Sequence, residues 1–145
     1  MKKILLDTNF LLIPGQFMID IFTGIEKIMN EPYVLVVLDK TMNELEKFGQ
    51  GKSKDARAAQ LAIALVMARK ANSPTLWDRL FGLKPSEQAK LQIVKAGIGY
   101  VDDAIVKLGD KETIVATQDK ILKQRLRKKK IPTITMKGKK KIGFG

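Results

Sequence analysis

Five carboxylates in this chain stand where side chains of their kind do chemistry. Asp7 follows the apolar run Ile4-Leu5-Leu6 and leads into Thr8-Asn9, and Asp119 comes just past Thr113-Ile114-Val115-Ala116-Thr117. Both apolar runs read as buried parallel strands, and in open α/β sheets ligands lie beyond the carboxyl ends of the strands. Glu44 falls near the start of the helix expected after Tyr33 to Leu38, and Asp102-Asp103 open a further helix. Each acid has an ordinary structural explanation. Asp7 and Asp119 suit helix caps, Thr41-x-x-Glu44 fits a capping box, and one of Asp102 and Asp103 can cap while the other faces a cleft. All of these at once require several coincidences, because each acid sits at a β-to-α junction and in a parallel sheet those junctions share one edge.

The chemistry open to such a cluster is narrow. The chain has no His and no Cys, which removes an imidazole base, a His-containing triad, disulfides and thiolate-bound zinc. A set of carboxylates alone suits the hard, oxygen-liganded cations Mg²⁺ or Mn²⁺. A site of that kind lowers the pKa of bound water and stabilises charge in an in-line displacement at phosphorus.

The elements that must position these acids can be read along the chain. At 145 residues, 45% of them hydrophobic, it forms one domain with a full-sized core. Phe10 to Ile13 leads into a Pro14-Gly15 turn, and Phe17, Ile21, Ile25 and Ile28 predict an amphipathic helix over 16–29. Tyr33 to Leu38 is uniformly apolar and β-branched, hence a strand covered on both faces. Helices are expected over 42–48 and 56–71, the second with Leu61, Leu65 and Ala68 on one stripe. Trp77, Leu80 and Phe81 suit a short helix anchored on the core, and Leu91 to Val94 reads as a short strand. A helix over 104–108, a strand over 113–117, a basic helix over 120–130 with Ile121, Leu122 and Leu126 facing in, and a last strand over 131–136 complete the pattern. Alternating strands and helices of these lengths imply right-handed crossovers and a parallel sheet.

Charge is distributed unevenly. The net charge is +12, yet Lys120 to Gly145 carries 11 Lys and Arg with no acid, so the body before it is near neutral. Lys120, Lys123, Arg125, Arg127, Lys128, Lys129 and Lys130, with Lys137, Lys139, Lys140 and Lys141, form the footprint of a polyanion, most simply nucleic acid. Residues 137–145 read as a basic Gly/Lys tail beyond a domain over 1–136. The opening Met1-Lys2-Lys3 imitates a secretory signal, but Asp7 and Asn9 interrupt the apolar run too early; no membrane span follows, and a cytoplasmic protein is expected.

These residues resemble a known family. Asp7-Thr8-Asn9, Glu44-Leu45-Glu46-Lys47-Phe48-Gly49, Tyr100-Val101-Asp102-Asp103 and Ala116-Thr117-Gln118-Asp119, in that order and followed by a basic helix, are similar to motifs of the PIN-domain ribonucleases, above all the subgroup that processes small-subunit ribosomal RNA. The resemblance implies a three-layer α/β/α sandwich in which Asp7, Glu44, Asp103 and Asp119 converge on one or two divalent metals. Asp102 is then an auxiliary carboxylate, and Asn9 and Thr117 orient the acids. Asp103 is preferred over Asp102 because the family's acid directly precedes a small residue and aliphatics, as in Asp103-Ala104-Ile105. The segment from Thr75 to Lys95 is longer than the subgroup leads one to expect.

The function implied is a metal-dependent endoribonuclease in ribosomal RNA processing, acting on ribosomal RNA or its precursor, within a pre-ribosomal particle and as a homodimer. Two alternatives keep the fold: a VapC-type toxin ribonuclease neutralised by an antitoxin, and a non-catalytic RNA-binding ribosome assembly factor.

Overall fold

The structure is a computed structural model that describes residues 1–71 and 89–145. The helix expected around Trp77, Leu80 and Phe81 lies outside the described residues. A six-stranded sheet has the order β3-β2-β1-β4-β5-β6, with β1 (Lys2–Leu6), β2 (Tyr33–Leu38), β3 (Leu91–Val94), β4 (Thr113–Ala116), β5 (Thr133–Lys137) and β6 (Lys141–Phe144). The first five strands run parallel, and β6 alone returns antiparallel to β5.

Both faces of the sheet are covered, so the central strands are apolar throughout. On one face Ile4, Leu6, Leu35, Val37 and Ile114 join a core supplied by α1 (Thr8–Leu11), α2 (Ile13–Phe17), α3 (Ile21–Ile28), α4 (Asp39–Phe48) and α5 (Lys54–Lys70). On the other, Leu5, Val36 and Val115 meet Ile105 of α6 (Val101–Leu108) and Leu122 and Leu126 of α7 (Lys120–Lys128). The alternation within β1 is the two-residue period of a strand dividing its side chains between two layers. These layers make the α/β/α sandwich that the family resemblance implies, around the parallel sheet that the sequence pattern predicts.

Several boundaries differ from expectation. Pro14-Gly15 is no turn: Pro14 opens α2, where its missing N–H costs nothing, and Gly15 sits so close to α5 that a Cβ would lie 2.5 Å from Ala58 Cα. The helix expected over 16–29 is broken at Met18, which is left-handed at φ 56°, and restarts at Asp20. Asp20 Oδ1 accepts from the N–H groups of Phe22 and Thr23, an N-cap concealed in what reads as a polar helix face. On α5 the buried stripe is Ala58, Ala59, Ala62, Leu65 and Val66, with Leu61 and Ala68 only partly covered. Ile121, expected to face in, is 69% exposed.

The basic tail is also corrected. Lys137 ends β5 and residues 141–144 form β6, whose Ile142 packs on α3 where Gly24 leaves room for it. A Cβ at position 24 would meet Ile142 Cγ1 at 2.8 Å. The described residues thus place Lys137 and 141–144 in the sheet, joined by a turn over 138–140.

Candidate active site

The order 3-2-1-4-5 puts the topological switch between β1 and β4, the place where an open sheet leaves a crevice at its carboxyl edge. Asp7 follows β1 there. Its backbone N–H donates to Ala116 O at 2.9 Å, continuing the ladder one residue past the strand, and its side chain caps α1 by accepting from Thr8 N at 2.8 Å. The other carboxylate oxygen accepts from the Thr117 hydroxyl at 2.7 Å, and the residue is only 7% exposed. Thr117 Oγ1 in turn accepts from Asp119 N at 3.1 Å, and Asn9 Oδ1 accepts from Gln118 N at 2.9 Å. The β1 and β4 junctions are therefore stitched together by side chains from both. Asp119 Oδ1 caps α7, taking the N–H groups of Ile121 and Leu122.

Glu44 comes from α4, and its capping-box explanation does not hold. Leu38 is the N-cap, Thr41 lies inside the helix, and Thr41 Oγ1 is buried with no hydrogen bond to the described residues. Glu44 instead lines a cavity of about 410 Å³ together with Asp7, Thr8, Asn9, Asp102 and Asp119. Four acids thus line one space: Asp7, Asp102 and Asp119 from β-to-α junctions and Glu44 from the second turn of α4. A larger groove of about 720 Å³ contains a single acid, Asp20, already spent as a cap.

Asp102 and Asp103 are placed contrary to the preference for Asp103. Consecutive helical residues diverge by about 100° around the axis, so both cannot face the same space. Asp102 lines the acid cavity, while Asp103 lines a separate hollow beside Ala104 and Lys107. The Arg125 guanidinium spans the pair, 2.8 Å from Asp103 Oδ1 and 3.4 Å from Asp102 Oδ2.

The crowding has an electrostatic signature. Burial pushes the Asp7 carboxyl above its ordinary value; the Thr117 hydroxyl and Thr8 N–H oppose the rise, and the charges of Asp119 and Asp102 add to it. Burial also raises Glu44, with Asp7 and Asp102 adding to the effect and the neighbouring Thr8 side chain offsetting part of it. A cation in the cavity would relieve this repulsion. No three acids among the described residues stand in a ready-made metal-holding group. The donor set, all carboxylate oxygen and mutually repelling, nevertheless fits a hard divalent ion.

The predicted basic residues divide into groups. Lys120, Lys123, Arg127 and Lys130 follow helical spacing along one stripe of α7 and the turn after it. Lys123 Nζ donates to Thr135 Oγ1 at 2.7 Å, and its ammonium is disfavoured by partial burial and then by Lys137, Lys120 and Arg127. Arg125 is held by the two Asp residues, and Lys129 donates to the carbonyls of Val106 and Gly109 at the end of α6. Lys128 is exposed, and Lys139, Lys140 and Lys141 line the larger groove. Sequence reasoning missed Gln118, whose Oε1 accepts from Thr135 Oγ1 at 2.6 Å and Met136 N at 2.8 Å, pinning the β4 junction to β5. Its position between Thr117 and Asp119 was the available signal.

A mostly parallel sheet with acids gathered at its switch point defines an α/β protein of the PIN-like kind. Comparison with known proteins agrees: the model of the PIN like domain family matches residues 4–75. Ribonuclease VapC4 of Methanocaldococcus jannaschii is 30% identical over 143 residues, spanning 97% of this chain and 94% of that protein. The solved structure of the PIN domain endonuclease Utp24 superimposes with a TM-score of 0.68 at 26% identity, covering 98% of this chain and 90% of that one. A domain of a functionally unknown protein from Methanocaldococcus jannaschii shares the fold, with a TM-score of 0.59 at 17% identity over 95% of this chain and 93% of that one. The chain belongs to the PIN-domain ribonuclease family. Among the described residues no helix is long and apolar enough to cross a membrane.

Proposed function

We propose that the protein is a divalent-metal-dependent endoribonuclease acting on ribosomal RNA or its precursor, in the cytoplasm. The observation that carries the reading is the convergence of Asp7, Glu44, Asp102 and Asp119 on one cavity at the switch point. These four would hold Mg²⁺ or Mn²⁺, which when bound neutralises their charge and acidifies water for attack on a phosphodiester. Asp103 is then a partner of Arg125, and the pair steadies the start of α6 beneath Asp102. Thr117 and Thr8 N–H fix both oxygens of Asp7, leaving its remaining lone pairs for the cavity. Asn9 holds the Thr117–Gln118 backbone, and hence Asp119, at its distance from Asp7.

The α7 stripe of Lys120, Lys123 and Arg127, with Lys137 beside it, suits an RNA backbone entering from β5 toward Asp119. Mutual repulsion among these cations supports that reading, since phosphates would relieve it. Assignment to ribosomal RNA rests on the motif resemblance over Glu44 to Gly49, Tyr100 to Asp103 and Ala116 to Asp119.

A second reading is favoured by the 30% identity to Ribonuclease VapC4 across nearly the whole chain: a toxin ribonuclease held in check by an antitoxin. Purified protein incubated with structured and single-stranded ribosomal RNA fragments, with Mn²⁺, Mg²⁺ or EDTA, tests the first reading. Cleavage that needs both metal and Asp7 supports it; intact RNA under every condition counts against it. Growth arrest on expression of the chain alone, relieved by Asp7→Asn, would move the assignment to the toxin.

A further inference from the structure

The groove of about 720 Å³ between α3 and the β5–β6 turn is left unused by the nuclease reading. Its floor is apolar: Ile19, Ile28 and Ile142, with Phe17 and Met18 standing 43% and 73% exposed at one end. Lys27, Lys139, Lys140 and Lys141 form its rim, and none of them is ion-paired among the described residues. Asp20, whose oxygens are taken up by two backbone N–H groups and by the Thr23 hydroxyl at 2.6 Å, pairs with none of them among the described residues, and one carboxylate among four lysines leaves the rim net positive. The groove lies on the α3 side of the sheet, where Ile142 belongs to the core of α1 to α5, whereas the α7 stripe lies over the opposite face. The two basic surfaces are therefore separate, and the three lysines of the turn are not an extension of the stripe.

We propose that this groove docks an acidic amphipathic helix of a partner protein, its apolar face on the floor and its Asp and Glu side chains among the four lysines. An aliphatic floor with a cationic rim is the complement of such a helix, and lysine stems extend the apolar surface while their ammonium groups reach the rim. Nucleic acid fits less well, since a single strand needs flat aromatic platforms for its bases and the floor offers only Phe17. Gly24 makes the groove possible by letting Ile142 close its floor against α3. The proposal does not depend on catalysis.

The test uses the full chain and a fluorescein-labelled, helix-stabilised peptide with Leu on one face and Glu on the other, read by fluorescence anisotropy. Comparators are the same peptide with Leu replaced by Ser, and a single-stranded RNA of similar charge. The Leu/Glu peptide should bind, and the Ser peptide should bind at least about tenfold more weakly, the scale of one apolar anchor. The double variant Phe17→Ser/Met18→Ser should weaken the peptide by a similar factor and leave RNA binding unchanged. Lys139→Glu/Lys140→Glu should weaken the peptide, and Lys123→Glu/Arg127→Glu should weaken the RNA more than the peptide. Circular dichroism confirms that each exposed-site variant is folded. Equal binding of the Ser peptide, no binding of either peptide, or loss of RNA in place of peptide on changing Phe17 and Met18 would overturn the proposal. An uncleaved RNA alongside a bound peptide would sink the nuclease reading and leave this one standing.

Discussion

The Thr117 hydroxyl donates to Asp7 Oδ2 at 2.7 Å across 110 positions of sequence. It joins the two strands that flank the switch point, and it also accepts from Asp119 N. Replacing it by the near-isosteric Thr117→Val removes a donor to a buried carboxylate and an acceptor for the α7 cap. A loss of about 2 kcal/mol is expected in urea unfolding, the scale of a hydrogen bond to a charged group. Because that bond favours the ionised form of Asp7, its removal raises the Asp7 carboxyl further. If Asp7 acts as an anion, the acid limb of the pH–rate profile moves to higher pH, and an unmoved limb would argue that Thr117 is purely structural.

Asp7→Asn should stabilise the metal-free protein at neutral pH. Folding raises the Asp7 and Glu44 carboxyls above their ordinary values, so the folded state holds these protons more tightly than the unfolded chain. Stability from these groups therefore falls as pH rises from the ordinary carboxylate range through their folded values, the reverse of a salt-bridged acid. Asn removes the charge, and its amide can donate to Thr117 Oγ1. The gain, about 1 kcal/mol, should be present at pH 7 in EDTA and nearly absent at pH 4, as thermal melts at both would reveal.

Divalent metal should reverse that ranking. At a concentration about 100 times its dissociation constant, a ligand specific to the folded state adds about 2.7 kcal/mol, equivalent to a melting shift of about 5–10 °C for a domain of this size. Wild type should show such a shift with Mn²⁺, and Asp7→Asn should lose most of it. A shift of equal size in both proteins would place the bound ion elsewhere.

Lys123→Gln/Arg127→Gln addresses the α7 stripe. Removing two phosphate contacts on a single strand should lower the slope of log K against log salt by about 1.4 and weaken binding alike for unrelated sequences. Discrimination that changes with sequence would mean that these side chains touch bases.

Stopping the chain after Lys140 should destabilise the fold by about 2 kcal/mol or more, since Ile142 leaves the core and β5 loses its antiparallel partner. A free tail, which composition suggests, would be removed without effect on unfolding.

That last contrast shows where the sequence was legible. β1, β2 and β4 could be read because a strand covered on both faces must be apolar at every position, and the acids after β1 and β4 interrupt that pattern abruptly. Asp7 and Asp119 stood out because each follows its own strand directly, whereas Glu44, which lines the same cavity, was singled out from a helix start placed too late, since α4 begins at Asp39 and Glu44 lies in its second turn. The choice between Asp102 and Asp103 was not local. It turns on which way one helix is rotated: Asp102 lines the acid cavity and Asp103 another hollow, while Arg125, more than twenty residues later, meets both. β6 was hidden for the same reason: Lys and Gly suggest a tail, and the partner that orders Ile142 is Gly24 at the far end of the chain. Asp20 looked like the polar side of a continuous helix, because a cap and a solvent-facing acid are identical until the backbone turns.

The reversal of β6 also settles where the two ends of the chain emerge. β1 begins at the amino edge of the sheet, and β6, running the other way, brings Gly145 back there, its N–H on Thr133 O. The acid cavity opens at the opposite edge. Anything joined to either end, whether an affinity tag, a fluorescent reporter or a neighbouring module, therefore leaves from the back of the molecule, and the mouth of the cavity stays clear for a long polymer to pass across it.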